Sequence, residues 1–453
     1  TVVEQATKRF LATPLAADGV PVVSPPGSIK WSASGGVGTI DASGRFTATR
    51  PGKGSVVATG PGGAVGRASV LVEPFVVRKT KWTVMVYMNA ASDLYPFSDL
   101  NMNQMESVAQ NPEVRFVVQW KQARSVYPGS SFDGVRRYLV KPDTDMGRVR
   151  SEIVQNGLVD SSGQALDMGD PRTLKDFVDW ARIYYPAERT ALVLWSHGNG
   201  WMRRPNADRG RAFSYDDQYG TAIQVWELGQ ALSGHRFDIL AWDCSLMQML
   251  EVAYELRPHA ALVAGSEESP PGEGYPYDAV FQRFRDNPGA PTKDLAKAFV
   301  DGMMNDPRYR GRKITQSVVD TAKLQAAAQS LDKLGRALVA AKELMADDIP
   351  QVRNSAQGYS QTRSRTYRDL VDVCRLLAVA PTATEAVRRA ALDARSSTLA
   401  AIVWEGHNQN SPNSNGLSID FSSGLDFQQF RPDYVRLALA RATSWDEFLA
   451  VAP

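Results

Sequence analysis

Residues 190–201 read TALVLWSHGNGW, and residues 237–256 read FDILAWDCSLMQMLEVAYEL. Each opens on a short, nearly continuous apolar run, as a strand buried on both faces does. The first run delivers His197 into a glycine-rich loop. The second delivers Asp243, Cys244 and Ser245 ahead of an apolar helical face made by Leu246, Met247, Leu250, Ala253 and Tyr254. Further runs at Trp82–Met88, Val114–Trp120 and Ala260–Gly265 have the same texture, and Leu174, Phe177, Val178 and Ala181 mark another helical face. Strands alternating with helices predict an α/β fold, a doubly wound, mostly parallel sheet flanked by helices. Amphipathic stretches over 321–345 and 384–400 predict two more helices, and NGLSIDF (415–421) a late strand.

The 453 residues, 43% apolar and 22% charged, exceed one ordinary domain and are too apolar for disorder. With 51 basic against 49 acidic side chains the net charge is only +2, so no global field is available to hold nucleic acid. No apolar run reaches the roughly 18–20 residues of a bilayer span. Residues 1–10 do not read as a signal peptide, and the expectation is an exported chain whose leader has already been removed. Residues 1–76 are rich in Gly, Pro, Ser, Thr and Val, with short runs at Ile29–Ser32, Gly44–Thr49, Ser55–Thr59 and Ala68–Val72 between turn residues, which predicts a small all-β sandwich. The stretch IKWSASGGVGTIDASGRFTATRPGKGSVVATG (29–60) resembles bacterial Ig-like domains, modules that space or tether a catalytic domain. Residues 77–453 then form the second domain.

In open parallel sheets the ligand crevice lies beyond the carboxyl ends of the strands. A histidine after one strand and a Cys or Ser after a neighbouring one provide a base and an acidifiable nucleophile. The separation of His197 from Cys244 is close to that in caspases, where the His lies about 50 residues upstream of the Cys. Gly198 and Gly200 allow the loop to turn backbone N–H groups toward a developing oxyanion.

At these residues the chain resembles the clostripain-type cysteine peptidases, relatives of caspases, gingipains and legumains. The resemblance runs from about residue 81 to 453 through KWTVMVYMNAASDL (81–94), SHGNGW (196–201), DILAWDCSLMQMLEVAYEL (238–256), AGSEESPPGEGYPYD (264–278) and SNGLSIDF (414–421). It implies a caspase-like fold and hydrolysis of peptide bonds after Arg or Lys by a Cys–His dyad with a backbone oxyanion hole. His197 is then the catalytic histidine, and the N–H groups of Gly198 and of residue 245 hold the oxyanion. The family's nucleophile segment reads approximately F-D-A-C-L-M, and anchoring on LM and EVAYEL puts Ser245 at the nucleophile position, with Cys244 one residue out of register. Adjacent side chains at a strand end face opposite ways, so Cys244 is the lesser candidate. A serine needs a base held in the correct tautomer by a third group, of which the family dyad makes little use. The expectation is little or no peptidase activity, in an inactivated Cys-to-Ser variant or a natural pseudoenzyme. A noncatalytic peptide-binding protein or surface adhesin is the alternative, and a serine hydrolase using Ser245 is the third.

Structural readings stand beside these. Ser245 and Gln248 fit S-x-x-Q, a helix capping box. Cys244 and Cys374 read as packing residues, and two cysteines make no disulfide framework. Asp243 could sit at a helix N-terminus; the resemblance instead puts its carboxylate in the pocket for the substrate's basic side chain, with Glu273 the second candidate. Glu267 and Glu268 read as loop contacts, and His235, His259 and His407 as structural. Between the two junctions, WMRRPNADRGRAFSYDDQYG (201–220) is a solvated loop or, by resemblance, a self-processing loop cut at Arg211-Ala212 that stays intact when residue 245 is serine. No organic cofactor is required and no spacing fits zinc. Asp216 and Asp217 offer hard oxygen ligands, and resemblance to calcium-requiring family members makes them candidate Ca²⁺ ligands. Partners are protein or peptide substrates with Arg or Lys at the cleaved bond, and the location secreted or cell-surface. Nothing in the sequence assigns an oligomeric state.

Overall fold

A computed structural model describes residues 2–3, 7–22, 28–73, 78–202, 212–360 and 366–453. They fall into two compact units, Thr1–Arg78 and Lys79–Pro453.

The smaller unit is built from short strands. One sheet has the order Val2–Val3, Val65–Glu73, Gly52–Thr59, Lys30–Ser34, and the other the order Thr7–Arg9, Arg45–Ala48, Gly38–Ile40. Alternation along the strands sends Val70, Val72 and Val56 inward against Phe46, Ala48 and Val37, which close a small core.

The larger unit is organised by a nine-stranded sheet. In chain order its strands are β1 (Thr80–Ala90), β2 (Val114–Gln122), β3 (Gly134–Leu139), β4 (Glu152–Asn156), β5 (Ala187–Trp195), β6 (Phe237–Asp243), β7 (Ala260–Gly265), β8 (Thr315–Asp320) and β9 (Ile402–His407). Across the sheet they lie 4-3-2-1-5-6-7-8-9. The five interior strands from β2 to β7 are parallel, and the two pairs at either edge are antiparallel.

Successive residues of the interior strands feed opposite cores. Met85, Tyr87, Leu192, Leu194, Leu240 and Trp242 pack on one face. Val84, Val86, Val193, Trp195, Ile239 and Ala241 pack on the other. Helices cover both. On the first face lie α2 (Pro171–Tyr184), α3 (Leu250–Glu255), α6 (Leu324–Ala341) and α7 (Glu385–Ala401); on the second lie α1 (Tyr95–Glu106), α4 (Tyr277–Asp286) and α5 (Thr292–Asn305). The predicted face of α2 is buried, and the helix starts where Asp170 accepts from the Arg172 N–H with Pro171 at the first position.

Two expectations are corrected. The helical face read from Leu246 onward begins late: α3 starts at Leu250, with Met249 at its N-cap. The late strand in 415–421 shrinks to Ser418–Asp420 and pairs with Tyr367–Asp369, outside the large sheet. Among the described residues no helix is long and apolar enough to cross a membrane.

Candidate active site

Parallel register sets the carboxyl ends of three strands side by side: Met88 of β1 pairs Trp195 of β5, which pairs Asp243 of β6. The residues just beyond these ends meet at one place. A cavity of about 230 Å³ is lined by Leu94, Trp195, His197, residues 243–245 and, from the following loop, Pro270, Pro271, Gly272 and Gly274.

The His197 loop is held tightly. Ser196 donates its N–H to the Asp243 carbonyl at 3.3 Å. Its hydroxyl accepts the Tyr215 N–H at 3.0 Å. The imidazole stacks on the Tyr215 ring, with centroids 5.5 Å apart and planes at 27°. His197 Nε2 lies 2.5 Å from Asp93 Oδ1. Gly198 packs on the backbone of Ser245 and the β-carbon of Cys244. Gly200, at φ +63°, occupies a left-handed turn, which suits glycine.

At the end of β6 the side chains divide as the pleat requires. Cys244 continues the Leu240–Trp242 face into the core, where its Sγ donates to the Leu194 carbonyl at 3.2 Å. Burial, with Asp243 beside it, pushes the thiol well above its ordinary range, so the thiolate is disfavoured. Both cysteines are buried and unbridged. Ser245 is half-buried at the cavity wall. It is not a helix cap: four residues separate it from α3, and Gln248 turns inward to donate to Ser317 Oγ at 2.9 Å. Leu246 takes φ +65°, rare for a branched side chain, and its N–H donates to the Glu268 carbonyl at 3.2 Å.

Asp243 points to the opposite face from Cys244. Its carboxylate accepts the Tyr275 N–H at 3.2 Å and the Tyr277 hydroxyl at 2.8 Å. Burial outweighs these neutral donors and pushes the carboxyl up to about 7. Gly274, at φ +68°, lies against it so closely that a β-carbon would stand 2.5 Å from Oδ2.

The other candidates are placed elsewhere. Glu273 turns its carboxylate to Arg312 at 3.2 Å and does not line the cavity. Glu267 and Glu268 are loop contacts: Glu267 accepts the Gly416 N–H at 3.1 Å, and Glu268 accepts the Ser360 hydroxyl. Arg211 lies outside the described residues, and Ala212 is fully buried. His235, His259 and His407 make local contacts with Asp179, the His235 carbonyl and Glu405.

Asp216 and Asp217, the candidate Ca²⁺ ligands, each have a protein partner. Asp216 is already paired with the Lys121 ammonium at 2.6 Å, both side chains without solvent exposure. Asp217 accepts the Tyr127 hydroxyl at 2.6 Å. Among the described residues no group of three or more His, Cys, Asp or Glu side chains is gathered for a metal.

Sequence reasoning missed Asp93, Tyr215, Tyr275 and Tyr277. Asp93 was within reach of it, since this residue follows β1, the neighbour of β5, and so belongs to the row of strand ends that holds His197.

Residues 86–451 match the clostripain family of C11 peptidases. Clostripain of Hathewaya histolytica is 29% identical over 178 residues, 37% of this chain and 34% of that protein, so the match spans about a third of its length. The fold is similar to an inactive zymogen C11 protease from Parabacteroides distasonis, with 18% identity, 81% of this chain and 99% of that chain covered, and a TM-score of 0.59. It is similar also to a secreted C11 cysteine protease from Bacteroides thetaiotaomicron in complex with an irreversible peptide inhibitor, with 20% identity, 79% and 99% covered, and a TM-score of 0.56. From the extent of the family match, the chain belongs to the clostripain family of C11 peptidases.

Proposed function

We propose that this site is built to cleave peptide bonds after Arg or Lys, and that Ser245, standing where the family carries its nucleophilic cysteine, leaves the chain weakly active or inactive. One observation carries the specificity. Asp243, buried at the wall of the cavity that His197 and Ser245 line, has neutral hydrogen-bond donors and, among the described residues, no cationic partner. A guanidinium or ammonium entering from a substrate would supply the missing charge and favour the ionised carboxylate.

In the cysteine form, residue 245 attacks the carbonyl carbon and His197 takes its proton. The N–H groups of Gly198 and residue 245 hold the oxyanion, and His197 returns the proton to the leaving amine as the C–N bond breaks. Water, deprotonated by His197, then displaces the acyl group from residue 245, whose thiol recovers the proton. No organic cofactor enters these steps. The stretch over 201–220 is read as a self-processing loop cut after Arg211, and the N-terminal β unit as an Ig-like spacer of a secreted or cell-surface protein. The test compares hydrolysis of Arg- and Lys-amide peptides by the chain and by Ser245→Cys. A gain of at least about a hundredfold in the variant supports the reading, and equal, substantial activity in both contradicts it.

The Asp93–His197 bond favours a second reading, hydrolysis by Ser245 itself. Fluorophosphonate labelling at Ser245 that disappears in His197→Ala would establish it.

A further inference from the structure

His197 is held from two sides that the proposed chemistry leaves unexplained. A carboxylate accepts hydrogen bonds and does not donate them, so the 2.5 Å contact with Asp93 Oδ1 requires the ring proton on Nε2. The Nδ1 lone pair is then free to act as the base. Tyr215 covers one ring face. Its own segment is fixed to both partners: the Tyr215 N–H donates to Ser196 Oγ, beside His197, and the Asp217 N–H donates to the Ala91 carbonyl, two residues before Asp93, at 2.8 Å. Asp216, between them, is anchored by Lys121. A single strand end therefore ties the histidine loop and the Asp93 turn into one rigid arrangement.

We propose that Asp93 is a positioning residue for His197, selecting the Nε2–H tautomer that leaves Nδ1 as the base toward residue 245, with the Tyr215 ring as the platform that fixes the imidazole plane. This rests on the reading of His197 as the catalytic base. The proton taken from residue 245 goes to Nδ1 and then to the leaving amine; Asp93 neither gives nor takes one. The side chain of Asp93 is 72% exposed and that of His197 24%, so water competes for the carboxylate. The clamp is weaker than the buried acid of a serine triad, and a cysteine nucleophile depends on it less than a serine does.

The test needs no turnover. With ¹⁵N-labelled histidine, long-range ¹H–¹⁵N spectra of the neutral imidazoles report which nitrogen carries the proton. The chain has four histidines, and His197→Gln identifies the signals of His197. The expected result is a proton on Nε2 in the parent and a mixture of tautomers in Asp93→Ala and in Asp93→Asn, whose amide offers Nε2 either its carbonyl oxygen or its N–H. In the Ser245→Cys background, Asp93→Ala should lower kcat roughly 10- to 100-fold with KM within about twofold. A His197 tautomer unchanged in both Asp93 variants overturns the proposal whatever the activity. A lost tautomer with unchanged kcat in an active Ser245→Cys protein overturns its catalytic consequence. If Ser245→Cys hydrolyses nothing, the peptidase reading fails, and the tautomer still decides the role of Asp93.

Discussion

A β-carbon on Gly198 would stand 2.4 Å from the carbonyl oxygen of Ser245 and 3.0 Å from its amide nitrogen. The histidine loop and the nucleophile turn are thus packed backbone against backbone, with no room for a methyl group. Gly198→Ala must push the two apart. The expected cost is roughly 1–3 kcal/mol of stability. In the Ser245→Cys background kcat should fall at least about tenfold, since the oxyanion donors and the base separate. Full activity in Gly198→Ala would show that this contact does not set the site.

Asp243 makes stability depend on pH. Its folded carboxyl, raised by burial to about 7 from an ordinary 3.8, binds its proton more tightly than the unfolded chain does. The stability this contributes is complete below about pH 4 and is lost as pH rises toward 7. A shift of this size corresponds to at most roughly 4 kcal/mol. Asp243→Asn has no such titration, so its stability relative to the parent should rise between pH 4 and pH 8 in urea unfolding. Parallel pH profiles would refute the burial account. With Ser245→Cys, the same change should reduce kcat/KM for Arg and Lys substrates roughly 10- to 100-fold.

The Lys121–Asp216 pair is sealed from water, and burial moves both groups toward neutrality: the lysine is lowered and the aspartate raised despite their mutual attraction. Lys121→Met would leave a buried carboxylate without its cation, at a cost of roughly 3–5 kcal/mol. Lys121→Met with Asp216→Leu should be less destabilised than Lys121→Met alone. Thermal unfolding of the three proteins checks this ordering.

Residues 203–211 contain Arg203, Arg204, Arg209 and Arg211, and both flanks, Met202 and Ala212, are buried. Cleavage at one of these arginines should leave the two pieces together on size exclusion. The reason is the sheet: β5 before the cut pairs with β6 after it from Ala191–Ile239 to Trp195–Asp243, and Gly198 bridges Phe213. Pieces that separate without denaturant would contradict this. Incubated without protease, the Ser245 chain should remain uncut on a gel.

The parallel interior of the sheet was legible because β1, β2, β5, β6 and β7 are apolar on both faces. The antiparallel edges were not. Strands such as β4, EIVQN, and β9, IVWEGH, mix polar and apolar residues without regular alternation, and β9 is half-buried except at the exposed Trp404. They become strands only because a neighbour offers an unpaired edge. The capping-box reading of Ser245 failed for a related reason: S-x-x-Q is a local pattern, but Gln248 finds its partners at Val263 and Ser317, far along the chain.

By itself the sequence determined which strand ends carry His197 and residues 243–245, and that Cys244 and Ser245 face opposite ways, because the pleat repeats every two residues whatever surrounds it. Only the tertiary structure decided what those side chains meet. Asp93 reaches His197 across 104 positions of the chain, and Asp243 is buried among tyrosines more than 30 positions away. Lys121 pairs with Asp216 from 95 positions away. Strand register, not local pattern, creates these contacts, and burial then sets the charge each group carries.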